Sequence, residues 1–293
     1  MLTTSVDDSN CDTGYGGYFD LEQSSIYPEP SLTGDTKLWS AFSGQNPINF
    51  YGIEYAGLAF SDDGFVVFDW ENNYGGSVHV PQSIPNARLP NNLVAMLWSD
   101  LEVLYDDGSG VEEIKGITLA VAGADTSIIE YDGPVLWNTS TSVGDFEILI
   151  HSTVDNTPGK PEIVIAFDNL NPTALPDLAT IGVESIGGLA ADVYLNNADP
   201  AGLSDGLMVC FDYQDHPGNC RDYWVLDDRN SFTEAGYEAR KAIFAGKEFT
   251  LGAGDNLALQ TAAGGSVNLF PGFTVAVGAS LSVIVDAAGV CPP

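Results

Sequence analysis

Apolar residues in this chain fall in short runs separated by turn residues. Leu58-Ala59-Phe60 and Phe65-Val66-Val67-Phe68 flank Ser61-Asp62-Asp63-Gly64. Asp-Gly readily adopts the positive φ of a tight turn, so the pattern predicts a β-hairpin. Residues 93–103 form another run, opened by Pro90-Asn91-Asn92. Residues 117–122 and 127–131 follow, with Gly123-Ala124-Asp125 between them. Phe146, Ile148 and Ile150 alternate with Glu147 and His151, the period of a half-buried strand. Residues 162–167 are nearly all apolar, as in a central strand covered on both faces. Asn156-Thr157-Pro158-Gly159 supplies the turn between those two strands, and runs at 180–184 and 207–211 complete the set. Many short strands with frequent turns predict an all-β fold, a β-sandwich of jelly-roll-like type, over residues 1–214.

Residues 215–235 read as a linker, polar and broken by Pro217-Gly218. The stretch Glu234-Ala235-Gly236-Tyr237-Glu238-Ala239-Arg240-Lys241 has helical composition, but Gly236 interrupts it, and no helix is expected there. Over residues 236–293 the strands become very short: Phe249-Thr250-Leu251, Leu257-Ala258-Leu259, Val267-Asn268-Leu269, Thr274-Val275-Ala276-Val277 and Leu281-Ser282-Val283-Ile284-Val285. Glycines fall between them. Strands this short need stacking, so a small β-solenoid or β-roll is expected, with a repeat of roughly 8–10 residues.

Charge narrows the range of partners. The net charge is -32, with 41 acidic against 9 basic residues. Residues 1–214 hold 32 of the acids and 4 of the bases. Such a surface repels phosphate backbones and anionic lipid, which excludes nucleic acid as a partner and disfavours bare membrane. No stretch is apolar enough for membrane insertion. The expected partners are a protein or glycan surface, or copies of the chain itself. Most of the carboxylates are read as a solvated acidic face.

The four cysteines are Cys11, Cys210, Cys220 and Cys291. An even number spread over the chain, without a CxxC pair, fits two disulfides in an oxidising compartment. Cys11 with Cys210 would clamp the two ends of the large domain, leaving Cys220 with Cys291. The local pair of Cys210 and Cys220 is the rival connectivity. Met1-Leu2-Thr3-Thr4-Ser5 lacks the basic start and apolar core of a signal peptide, so an extracellular or cell-surface chain is expected to be a mature form or a fragment.

An ordered series of segments carries a family resemblance. Phe50-Tyr51-Gly52-Ile53-Glu54-Tyr55 is followed by Phe60-Ser61-Asp62-Asp63-Gly64-Phe65-Val66-Val67-Phe68. Ile84-Pro85-Asn86 and Leu93-Val94-Ala95-Met96-Leu97-Trp98-Ser99-Asp100-Leu101 come next. The series resembles the nidogen-type extracellular β domain. It looks closer still to the β-sandwich module appended to bacterial secreted subtilisin-like proteases and surface proteins. With Cys11, Gly16-Gly17-Tyr18 and Asp205-Gly206-Leu207 through Cys210-Phe211-Asp212, the resemblance spans about residues 9–214. Over about 236–286 the tail is similar to a short β-repeat stub of secreted bacterial proteins, on Leu269-Phe270-Pro271-Gly272-Phe273-Thr274-Val275 above all. Neither resemblance implies a catalytic residue.

Motifs for catalysis are absent or broken. There is no GxSxG elbow and no HExxH. His79, His151 and His216 stand in unlike contexts, and His151 is read as structural or solvated. Glu130 and Asp132 share a strand face, with Glu147 available nearby, which suits a carboxylate-pair glycosidase. The jelly-roll glucanase pattern needs a further acid where Pro134 stands, which breaks it. The chain is therefore expected not to be an enzyme.

Calcium is the better use for clustered acids, since it takes six to eight oxygen ligands. Asp8, Asn10 and Asp12 have the 1-3-5 spacing of a calcium loop, although Gly14 comes one position late and no Glu closes the loop. Asp106 and Asp107 with Glu112, Asp62 with Asp63, and Asp100 with Glu102 are further candidates. Turn formation and solvation are the ordinary roles of such residues. Trp70, Tyr74 and Trp137 lie near loops rich in Asn, Gly and Ser, where an aromatic ring can stack on a sugar or anchor a protein. Their ordinary role is to close the rim of the core. The expectation is a non-catalytic adhesion or accessory module, calcium-stabilised. Its alternatives are a self-assembling filament or surface-layer subunit and, last, a carbohydrate-active enzyme.

Overall fold

The computed structural model describes residues 2–42, 47–51, 53–76, 79–110, 114–123, 125–152, 161–188, 190–212, 215–216, 220–226, 236–246 and 249–285. Glu112, Cys291 and the 156–159 turn lie outside them. The chain divides into two units: Met1–Asn49 with Tyr55–Tyr213, and Gln214–Pro293 with Phe50–Glu54.

The first unit is a sandwich of two six-stranded antiparallel sheets. One sheet runs Leu2–Thr4, Met208–Phe211, Ile163–Asp168, Asp145–His151, Thr126–Asp132, Gly116–Ala122. The other runs Ala191–Ala198, Ala179–Glu184, Leu93–Trp98, Phe65–Phe68, Gly57–Ser61, Leu38–Phe42. Tyr131 joins the sheets, stacking on Phe146 and donating its hydroxyl to the Ser61 carbonyl at 2.6 Å.

The expected hairpin forms between Gly57–Ser61 and Phe65–Phe68. Gly64 turns it at φ 73°, and a Cβ there would stand 2.7 Å from the Leu97 carbonyl oxygen. The apolar run after residue 162 is central in its sheet, as expected.

Both sheets are covered on both faces. Outside the first, Cys11, Phe19 and Leu21 pack on Ile128, Leu149, Val164 and Cys210. Outside the second, Trp70, Tyr74 and Ile84 pack on Phe65, Val67, Leu93 and Trp98. This double cover explains the continuous apolar runs. It also corrects the half-buried reading of the Asp145–His151 strand: Glu147, expected to face water, is fully buried. Cys11 pairs with Cys210 across 199 residues, which rules out the rival bond between Cys210 and Cys220.

The second unit is a parallel β-solenoid. Cys220–Leu226 lies in a parallel ladder beside Gly236–Ala245, so the segment read as a linker contains a strand. Tyr223-Trp224-Val225-Leu226 supplies the β-formers that its polar surroundings disguised. Ala242 pairs with Ser266, Thr250 with Thr274 and Asn256 with Ser280, 24 residues apart in each case, while Gly236 pairs with Ala258 at 22 and Cys220 with Glu238 at 18. One coil therefore holds three of the short repeats seen in the sequence. Leu226, Ile243, Leu251 and Leu259 fill its core, and Phe249 stacks on Phe273 at 5.8 Å.

Candidate functional site: an acidic corner beside an open tryptophan cleft

The site grows from the 61–64 turn. Asp63 is 2% exposed and organises the next loop: its carbonyl accepts from Ser99 N at 3.2 Å, and its Oδ1 accepts from Leu101 N at 3.1 Å. Gly64 accepts from Met96 N and Leu97 N. The turn at 99–100 is thereby fixed against the hairpin, and Asp100 is presented at its tip. The Asp100 carbonyl in turn accepts from Trp137 N at 3.0 Å. Trp137 follows Val135–Leu136, which pairs with Leu101–Glu102. Asn138 turns the chain away with φ 60°, and Thr139 closes the turn by donating to the Leu136 carbonyl at 2.8 Å. A third loop is tied in through Asn171 N, which donates to the Val143 carbonyl at 3.1 Å.

These three loops enclose an open cleft of about 330 Å³. Leu136, Leu175, Pro176 and Leu178 give it apolar walls, and Asp100 and Asp177 give it two carboxylates. Trp137 is 54% exposed there. Among the described residues, no lysine, arginine or histidine lines it. A second cleft of about 210 Å³, among Ala41, Leu58, Leu119, Val121 and Ile129, is mostly apolar, and among the described residues no titratable group lines it.

Behind the cleft the carboxylates crowd. Burial pushes Asp62 up to about 6, against hydrogen bonds from Lys37 N and the Ser61 hydroxyl. Burial, then the neighbouring Asp62 charge, pushes Asp63 up to about 8. Asp100 is raised by burial, while the charge of His79 favours its ionised form and Asp35 opposes it. The other Asp62 oxygen, Oδ2, is buried without a partner.

A second acidic pair lies under residues 18–21. Glu130 and Glu147 are direct cross-strand partners, 3% and 0% exposed. Glu130 Oε1 accepts from the Tyr18 hydroxyl at 2.9 Å and from Leu21 N at 3.2 Å. Glu147 Oε1 accepts from Phe19 N at 2.7 Å, and its Oε2 is buried without a partner. Burial, the largest cause in each, raises Glu130 to about 7 and Glu147 to about 8.

The structure thus gathers Asp62, Asp63 and Asp100, which the sequence offered as two separate clusters, and sets Trp137 beside Asp100. It adds Asp35 and Asp177, which sequence reasoning passed over. Asp177 stands in Leu175-Pro176-Asp177-Leu178, where apolar residues in a proline turn were the available signal. Trp70 and Tyr74 are partly buried on the outer face of their sheet. Asp8 accepts from Asn10 N and Asp12 from Gly14 N, each closing its own turn. Asp106 and Asp107 do the same for Gly108 N and Ser109 N. Among the described residues, no three His, Cys, Asp or Glu side chains come together as a metal site.

A model of the NIDO-related family, nidogen-related, matches residues 11–203. The chain belongs to this family. The match covers all three loops of the cleft and both acidic groups. No curated protein and no solved structure matches the chain. The family match points to an extracellular module, and the Cys11–Cys210 disulfide agrees with an oxidising compartment. Among the described residues, no helix is long and apolar enough to cross a membrane.

Proposed function

We propose that this NIDO-related chain is a non-catalytic extracellular adhesion or accessory module, and that it engages its partner at the cleft of Asp100, Trp137 and Asp177. The observation that carries this reading is Trp137, an exposed indole held by a backbone hydrogen bond at the mouth of a cleft. A large aromatic ring fixed on a rigid turn is the usual anchor of a binding surface. The test is a printed array of oligosaccharides and purified extracellular proteins, probed with the parent and with Trp137→Ala. A spot captured by the parent and lost in the variant supports the cleft. Equal capture by both moves the binding surface elsewhere.

Calcium enters the proposal as a stabiliser of the acidic corner around Asp62, where a buried oxygen lacks a partner. Thermal melts in calcium chloride and in EDTA read this directly. A rise of several degrees with calcium supports it, and equal midpoints remove calcium from the account.

One observation favours self-assembly as a second reading. Among the described residues, Ser280–Ile284 is paired on one side only, and Val283 and Ile284 are exposed. An unpaired strand edge is a template for another chain. Light scattering that shows a persistent monomer ends this reading.

A further inference from the structure

We infer that the cleft receives a lysine or arginine side chain from a basic protein segment. The inference rests on the proposal that the cleft is the binding surface, and it names the class of ligand.

The chemistry of the lining argues for a long cation. Leu136, Leu175, Pro176 and Leu178 make apolar walls, and the charged groups of the lining are the two carboxylates of Asp100 and Asp177. A lysine or arginine matches this arrangement, with an apolar stem and a charged head. The stem lies along the leucines and the head reaches the carboxylates. The exposed face of Trp137 adds an attractive surface for the cation. A sugar ring would want hydrogen-bonding groups spread around its hydroxyls. Here the polar side-chain groups are the two carboxylates, the Ser99 hydroxyl and the Trp137 indole N–H, too few and too strongly anionic for a neutral ring.

The surroundings act in the same direction. Among the described residues no lysine or arginine lines the cleft, and His79 acts on Asp100 from outside the lining. The Asp100 backbone is held in place, because its carbonyl is tied to Trp137 N and its turn is tied to Asp63. Burial and the Asp35 charge work against the ionised Asp100 while the His79 charge favours it, and an incoming cation acts in the same sense as His79. At long range, 32 acids against 4 bases over residues 1–214 draw cationic partners toward this unit.

The experiment is calorimetric titration of the full chain, at physiological salt, with a serine-spaced lysine and arginine peptide. The control peptide carries norleucine and citrulline in their place. The parent is expected to bind the basic peptide and ignore the control. Trp137→Ala and Asp177→Asn are each expected to weaken binding about tenfold, with Trp137→Phe intermediate. Glu22→Gln removes the same charge from the exposed Leu21–Ser24 turn and is expected to bind like the parent. Equal binding by the parent and Trp137→Ala overturns the inference, because the attraction is then diffuse. A neutral oligosaccharide that needs Trp137, with no binding of the basic peptide, keeps the cleft and overturns the ligand class. If no ligand of either kind depends on Trp137, the proposed function falls with it.

Discussion

Gly64 shows how one residue sets the geometry of the candidate site. Its positive φ and the approach of the Leu97 carbonyl leave no room for a Cβ. Gly64→Ala is expected to destabilise the first unit by about 2–3 kcal/mol, from left-handed strain and the clash together. Gly14 shares the positive φ but has open space around it, so Gly14→Ala should cost less. Thermal melts of the two variants make the comparison, and equal losses would remove the role given to the Leu97 contact. Glu147 is a different case. It is a buried carboxyl opposite another, with one oxygen unpartnered. At pH 5 it is protonated, and Glu147→Gln is expected to melt like the parent. At pH 9 the parent must hold the ionised form, and the variant is expected to be more stable by about 1–3 kcal/mol. A variant that melts alike at both values refutes the assignment. The acidity of Glu147 was legible in the sequence, but its burial was not. Alternation along its own strand read as one wet face, and the cover comes from Phe19, over a hundred residues earlier.

At the scale of elements, the N-terminal segment is bound to its sheet at two kinds of point. Cys11 bonds Cys210, and residues 18–21 grip Glu130 and Glu147. Replacing both cysteines by serine is expected to destabilise the first unit by about 2–5 kcal/mol, on the order of 10 °C in midpoint. Limited proteolysis should then cut first within residues 5–24. If cleavage begins elsewhere, the segment is not the element that the disulfide secures. The hairpin at 61–64 and the central strand after residue 162 were readable from local pattern alone. The 24-residue coil was not. The sequence displays its short strands, but the coil length is fixed by which of them pair in parallel, and such partners lie far apart.

For the whole molecule, the buried carboxyls act in one direction. Asp63, Glu147 and Glu184 are pushed up to about 8 by burial, Glu130 to about 7 and Asp62 to about 6. Between roughly pH 4.5 and 8, the folded chain therefore holds more protons than the unfolded chain, and stability falls as pH rises. The net charge of -32 adds self-repulsion in the same sense. The thermal midpoint is expected to be highest near pH 5 and to decline toward pH 9. A midpoint that rises across this range contradicts the burial of these groups.

The sequence by itself determined the all-β class, the tight turns, the stacked tail and the acidic character. Each of these follows from residues close together in the chain: apolar runs, Asp-Gly pairs, glycines between short strands and an excess of carboxylates. Only the tertiary structure decided which acids meet. It set Asp35, Asp62, Asp63 and Asp100 at one corner and Glu130 against Glu147. It left Trp137 open while packing Trp70 and Tyr74 onto the core. The physical reason is that exposure and charge proximity depend on strand order and loop cover, which bring distant residues to one place.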